Sequence, residues 1–108
     1  MSRATRWLTV RRPPAPPLLT ERLEMALGSV SPVPERTDDL LLGAGELLLG
    51  QLLRGACASR AAAHDLLTID ALVTYAFEAA IEDGPSGVED KAAAAMRRIA
   101  AIGLEAAE

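Results

Sequence analysis

An all-α domain is the fold class this sequence predicts, and three observations predict it. Half of the 108 residues are hydrophobic but only 3% are aromatic, so the core must be built from Leu, Ala, Val and Ile, and abundant alanine favours closely packed helices. Over residues 63–82, Leu66, Ile69, Leu72, Val73, Ala76, Phe77 and Ala80 recur at the three- and four-residue spacing of one helical sector, with no alternation of polarity that would suit a strand. Gly28, Gly55 and the run Asp83-Gly84-Pro85 then punctuate the chain between such stretches. The expected architecture is a small four-helix bundle, with helices near 18–27, 38–54, 60–82 and 87–102, in a single helical domain over 17–108. A disordered or extended Arg/Pro-rich arm, residues 1–16, is expected to precede it.

The arm is defined by proline. Pro13, Pro14, Pro16 and Pro17 remove backbone donors and fix φ, which excludes helix and favours an extended polyproline conformation. A mobile tail is the simpler expectation; Trp7, with Leu8 and Val10, gives the arm anchors of the kind found at interfaces, so packing along a partner subunit is the alternative. Pro17 suits the first turn of the helix that Gly28 would end in a left-handed conformation. After a loop holding Pro32 and Pro34, Thr37 or Asp38 is placed to cap the next helix, and Asp38 and Asp39 suit its positive end.

That helix carries a seven-residue echo, Leu40-Leu41-Leu42-Gly43 against Leu47-Leu48-Leu49-Gly50. Glycine inside a helix costs about 0.5–1 kcal/mol relative to alanine, so Gly43, Gly45 and Gly50 imply that some backbone approaches closely. Close packing within the chain and a subunit interface both fit, and Leu42, Gly43, Leu49, Gly50 and Leu53 are the interface candidates here. Ser59 is expected to cap the helix from Arg60 to Glu82, taken as the central element of the bundle. Its apolar surface extends beyond one face through Leu67, Ala71 and Tyr75, which adds Leu67 and Tyr75 to Trp7 as interface candidates. Ser86 and Glu89 read as a capping box for the last helix. Val88, Ala92, Ala95, Met96, Ile99 and Ile102 form its expected buried stripe, and Gly103 stands where it would end or weaken.

Charge is divided unevenly. Residues 1–16 hold Arg3, Arg6, Arg11 and Arg12 and no acid, whereas the remainder holds all fifteen acids against seven basic residues, for a formal net charge of −4 overall. An acidic body argues against broad phosphate-backbone binding, and Arg60 is the sole basic residue at the start of its helix, so nucleic acid is not an expected partner except through the arm. The single Cys57 cannot form an internal disulfide, and a reducing, cytoplasmic setting is expected. Leu40 to Leu53 is interrupted by Glu46 and Gln51 and is shorter than the ~20 residues of a membrane span.

No catalytic, nucleotide or metal motif stands out, and no cofactor is expected. Asp70 is the residue of the long helix that packing does not account for, since it lies at the edge of the apolar sector; with His64 and Tyr75 it marks the candidate ligand pocket, expected between the second and third predicted helices. Ile69 to Glu78, reading IDALVTYAFE, is similar to a helix of the isoprenyl diphosphate synthases. That family holds magnesium and diphosphate with two aspartate-rich motifs; here Asp38-Asp39 is followed by leucines and no second cluster exists, so the likeness extends to helix packing and no function is carried over. The preferred expectation is a non-catalytic helical interaction or oligomerisation module, paired with itself as a homodimer or with another protein. The alternatives are a small-molecule-binding or enzymatic bundle with a pocket near Asp70, and a regulator touching nucleic acid through its arginine arm.

Overall fold

Helix α1, Arg3–Val10, begins at Ser2, whose hydroxyl accepts the Thr5 N–H at 3.1 Å. The structure, a computed structural model, describes residues 2–30, 36–55 and 60–107; Pro32, Pro34, Cys57 and Ser59 lie outside these. All five elements are helices, and no strand occurs among the described residues. The expected extended arm is therefore corrected over residues 3–10, while Ser2 and residues 11–16 stay non-helical. Eight residues are too few for a stable helix in water. Ala4 and Leu8, one turn apart, are buried against the chain's own α2 and α3, and that burial supplies what local propensity lacks.

Helix α2, Pro17–Gly28, starts on proline and buries Leu23 and Leu27. Gly28 is its last residue rather than a left-handed stop, since among the described residues positive φ occurs only at Gly84 and Gly87. Helix α3, Thr37–Arg54, packs against each of the other four helices and buries Leu40, Leu41, Leu42, Ala44, Gly45, Gly50 and Leu52. The centre of the fold is thus α3 and not the long helix that follows. At Gly45 a Cβ would sit 3.4 Å from both Leu72 Cβ and Val73 Cγ2, whereas Gly43 meets only Val30 and Gly50 only the flexible Arg54 side chain. The close approach runs through the glycine between the two echoed ones.

Helix α4, Arg60–Glu82, returns antiparallel to α3 and buries Ala62, Thr68, Ala71, Leu72, Ala76, Ala79 and Ala80. The expected sector is rotated: Leu66 is 53% exposed, while Thr68 is 1% exposed and donates its hydroxyl to the His64 carbonyl at 2.9 Å. That bond inside its own helix removes the cost of burying the hydroxyl. Gly84 and Gly87, at φ +126° and +87°, turn the chain into α5, Val88–Ala107, which continues through Gly103. Of its expected buried stripe only Ala95 is fully covered, and Met96 is 70% exposed. No described helix is long and apolar enough to cross a membrane.

Asp38 fixes the placement of α5. It does not cap α3, whose capping position is Arg36; it lies inside the first turn with no exposed surface. Its Oδ2 accepts from Lys91 Nζ at 2.7 Å and its Oδ1 from Arg36 Nε at 3.1 Å, while Lys91 also reaches Asp39 at 2.7 Å. Two turns along, Arg98 grips Glu46 through two bonds of 2.8 and 3.0 Å. Lys91 to Asp39 and Arg98 to Glu46 share one sequence offset, so α3 and α5 run parallel.

Burial raises the Asp38 carboxyl, but the hydrogen bonds from Lys91 and Arg36 outweigh it and leave the group below its ordinary value of 3.8. A depressed carboxyl stabilises the fold above its unfolded value and ceases to do so as pH falls through the folded value. Chemical denaturation should therefore show stability falling below about pH 4, with a shallower fall in Asp38→Asn. Lys91→Met, which leaves buried Asp38 short of a partner, should cost about 3 kcal/mol at neutral pH. For the α3–α4 contact, Gly45→Ala should change stability by no more than about 1 kcal/mol, because its Cβ meets ordinary van der Waals contacts, whereas Gly45→Leu should lose roughly 1–3 kcal/mol by overpacking.

Candidate functional site

A large concavity lies between α2 and α4. Pro16, Leu18 and Leu19 form one wall, and Leu67, Ala71 and Tyr75 the other; Arg22, His64, Thr68, Asp70 and Thr74 supply polar groups. Its volume of about 570 Å³ lies within the range of ligand pockets, though it is an open groove and not an enclosed cavity. Leu67, Asp70, Ala71 and Thr74 face it together because they repeat at i, i+3, i+4 and i+7 along α4. Leu18 and Leu67 remain 77% and 64% exposed.

The three residues singled out as pocket candidates, His64, Asp70 and Tyr75, all line this groove. It lies between α2 and α4, however, and not between the pair of helices expected to form a pocket, α3 and α4. Smaller hollows of about 210 and 190 Å³ occur where α3 takes part. Helix α3 comes too close to α4 at Gly45 to leave a larger one.

At one end of the groove Arg22 Nη2 stands 3.0 Å from His64 Nδ1 and Arg22 Nη1 stands 3.8 Å from Asp65. A guanidinium only donates, so this nitrogen of His64 is the acceptor and the imidazole hydrogen belongs on Nε2. Asp70 is exposed and has no hydrogen bond or ion pair among the described residues. It is the uncompensated charge of the groove.

Tyr75 closes the other end and is held from behind by α1. The Arg11 guanidinium lies 4.4 Å above its ring, and the Trp7 ring lies 5.9 Å away, tilted by 54°. Arg11 donates to both oxygens of Glu78, at 2.8 and 2.9 Å, and also to the Pro13 carbonyl, while Trp7 Nε1 donates to Glu82 at 2.7 Å. The hydrogen bonds from Arg11 hold the Glu78 carboxyl below its ordinary value of 4.5. Trp7, a candidate anchor on a partner subunit, thus anchors on its own α4. Arg11, Glu78 and Glu82 escaped the sequence reading; the available signal was the i, i+4 spacing of Trp7 with Arg11 and of Glu78 with Glu82.

The other interface candidates fall into two groups. Leu42 and Gly50 are buried within the chain and Gly43 and Leu49 are partly covered, whereas Leu53 and Leu67 reach the surface. Among the described residues no group of three or more His, Cys, Asp or Glu side chains could hold a metal ion.

Because Trp7 is the single tryptophan, its emission reports the docking of α1. Arg11→Ala should shift that emission to the red and lower stability by roughly 1 kcal/mol; acidification through the folded-state value of Glu78, below 4.5, should weaken the same contact in the native protein but add little in the variant. Compared with protein-family models, curated proteins and solved structures, the chain has no match.

Proposed function

We propose that this chain is a non-catalytic helical interaction module whose working surface is the α2/α4 groove, and that the groove receives a helix from a protein partner. The observation that carries the reading is the open apolar bed of Leu18, Leu19, Leu67 and Ala71, in which Leu18 and Leu67 are more than half exposed in the single chain. Large exposed apolar side chains gathered in a groove with a polar margin are the common form of helix-in-groove recognition. Burial supplies the driving force, at about 25 cal/mol per Å² of apolar surface before the costs of association. Tyr75, clamped by Arg11 and Trp7, gives the groove a wall that needs little reordering on binding.

A second reading, a small-molecule site, draws on the convergence of His64, Asp70 and Tyr75 in a volume of about 570 Å³. The exposed leucines favour the helix, because they form an open bed and not an enclosing wall. The regulator touching nucleic acid draws less support, since Arg11 is engaged by Glu78.

The test uses a labelled synthetic helical peptide with leucines at i, i+3, i+4 and i+7 and lysines elsewhere. Binding read by fluorescence anisotropy should weaken about ten-fold or more in Leu18→Asp/Leu67→Asp, as expected when apolar anchors are lost, with the circular dichroism spectrum unchanged. Equal affinity for wild type and variant would rule out the groove.

A further inference from the structure

The groove has a counterpart on the same chain. Helix α5 meets α3 through the side that carries Lys91, Ala95 and Arg98. At 100° per residue, Ala93, Met96, Arg97, Ala100 and Leu104 fall on the opposite side, which would be polar in a helix that faced only water. All five are exposed, Met96 and Leu104 at 70% each. Arg97 is the one charge among them and has no ion pair among the described residues.

The two surfaces match in length and in charge. Met96 to Leu104 spans about 12 Å of helix and Leu67 to Thr74 about 10 Å, at 1.5 Å per residue. Both span two turns, expose a large apolar anchor and carry one unpaired charge near it: Asp70 three residues after Leu67, and Arg97 one residue after Met96. The signs are opposite.

We propose that the α2/α4 groove of one copy receives the outer face of α5 from a second copy, with Leu18 and Leu67 against Met96 and Leu104 and the Asp70 carboxylate facing the Arg97 guanidinium. The occupant assigned here rests on the groove being a helix-docking surface. The two faces differ, so the contact is heterologous: two of them around a twofold axis close a dimer, and otherwise copies add head to tail. Removing exposed apolar area on both copies drives the association, and the charge pair sets its direction.

Sedimentation velocity tests the assignment. The mean mass of the wild type should rise with concentration up to roughly 100 µM, the regime of small, transient interfaces. Leu67→Asp and Met96→Asp should each remain monomeric, with Leu104→Asp repeating the second result. An equimolar mixture of Leu67→Asp and Met96→Asp should recover a dimer, because it contains one intact groove and one intact α5 face. Asp70→Arg and Arg97→Asp should each weaken association about five-fold, and their combination should restore it, as for a coupled charge pair. A mixture that stays monomeric, or Met96→Asp and Leu104→Asp copies that still associate, would overturn the pairing. A monomeric wild type that still binds the leucine–lysine peptide in its groove would overturn the assignment of α5 and leave the groove reading intact; loss of both would overturn both.

Discussion

A carboxylate without exposed surface, Asp38 in the first turn of α3, constrains where the long helices can lie. Removing an ionised carboxylate from water costs several kcal/mol, and that cost is offset only where cations meet it at hydrogen-bond distance. Arg36 comes from the preceding residues, but Lys91 comes from α5, so α5 must begin beside the start of α3. The chain meets this demand by running out along α3, back along α4 and out again, with Gly84 and Gly87 in the turn. The Arg98–Glu46 pair keeps the same offset two turns on. A buried pair such as Lys91–Asp38 contributes more to the choice of register than to net stability.

Placing α3 in the middle has consequences for the surface. Helices α4 and α5 both lie against α3 and only lightly against each other. Each is left with a flank that its neighbours do not cover: Leu66, Leu67 and Ile81 on α4, and Met96 and Leu104 on α5. Alanine at 71, 76, 79 and 80 lets α4 come close to its neighbours but supplies little bulk. Leu66, Leu67 and Ile81 therefore point partly outward while Leu72 fills the core, and the groove follows from that geometry.

Helix α1 completes one end of the groove without entering it. Its buried residues Ala4 and Leu8 pack on α2 and α3, and Trp7 and Arg11 extend past them to Tyr75, Glu78 and Glu82 on α4. Tyr75 is shared between this latch and the groove. Docking of the first helix and the shape of the proposed binding surface are thereby coupled through one ring.

The sequence by itself determined four of the five helices and most of their limits, because periodicity, proline and glycine act within a few residues. Pro17 at the head of α2, the end of α3 at Arg54 and the turn after Glu82 were all legible in this way. It also brought forward His64, Asp70 and Tyr75, whose polar groups interrupt an apolar pattern. Tertiary structure alone decided that residues 3–10 are helical, since eight residues gain stability only when Ala4 and Leu8 are covered by other helices. It decided likewise that Asp38 is a buried partner of Lys91 instead of a cap, that Gly45 and not Gly43 or Gly50 marks the close approach, and that Thr68 is inside while Leu66 is out. Each depends on which neighbour arrives from far along the chain, and local pattern carries no record of that neighbour.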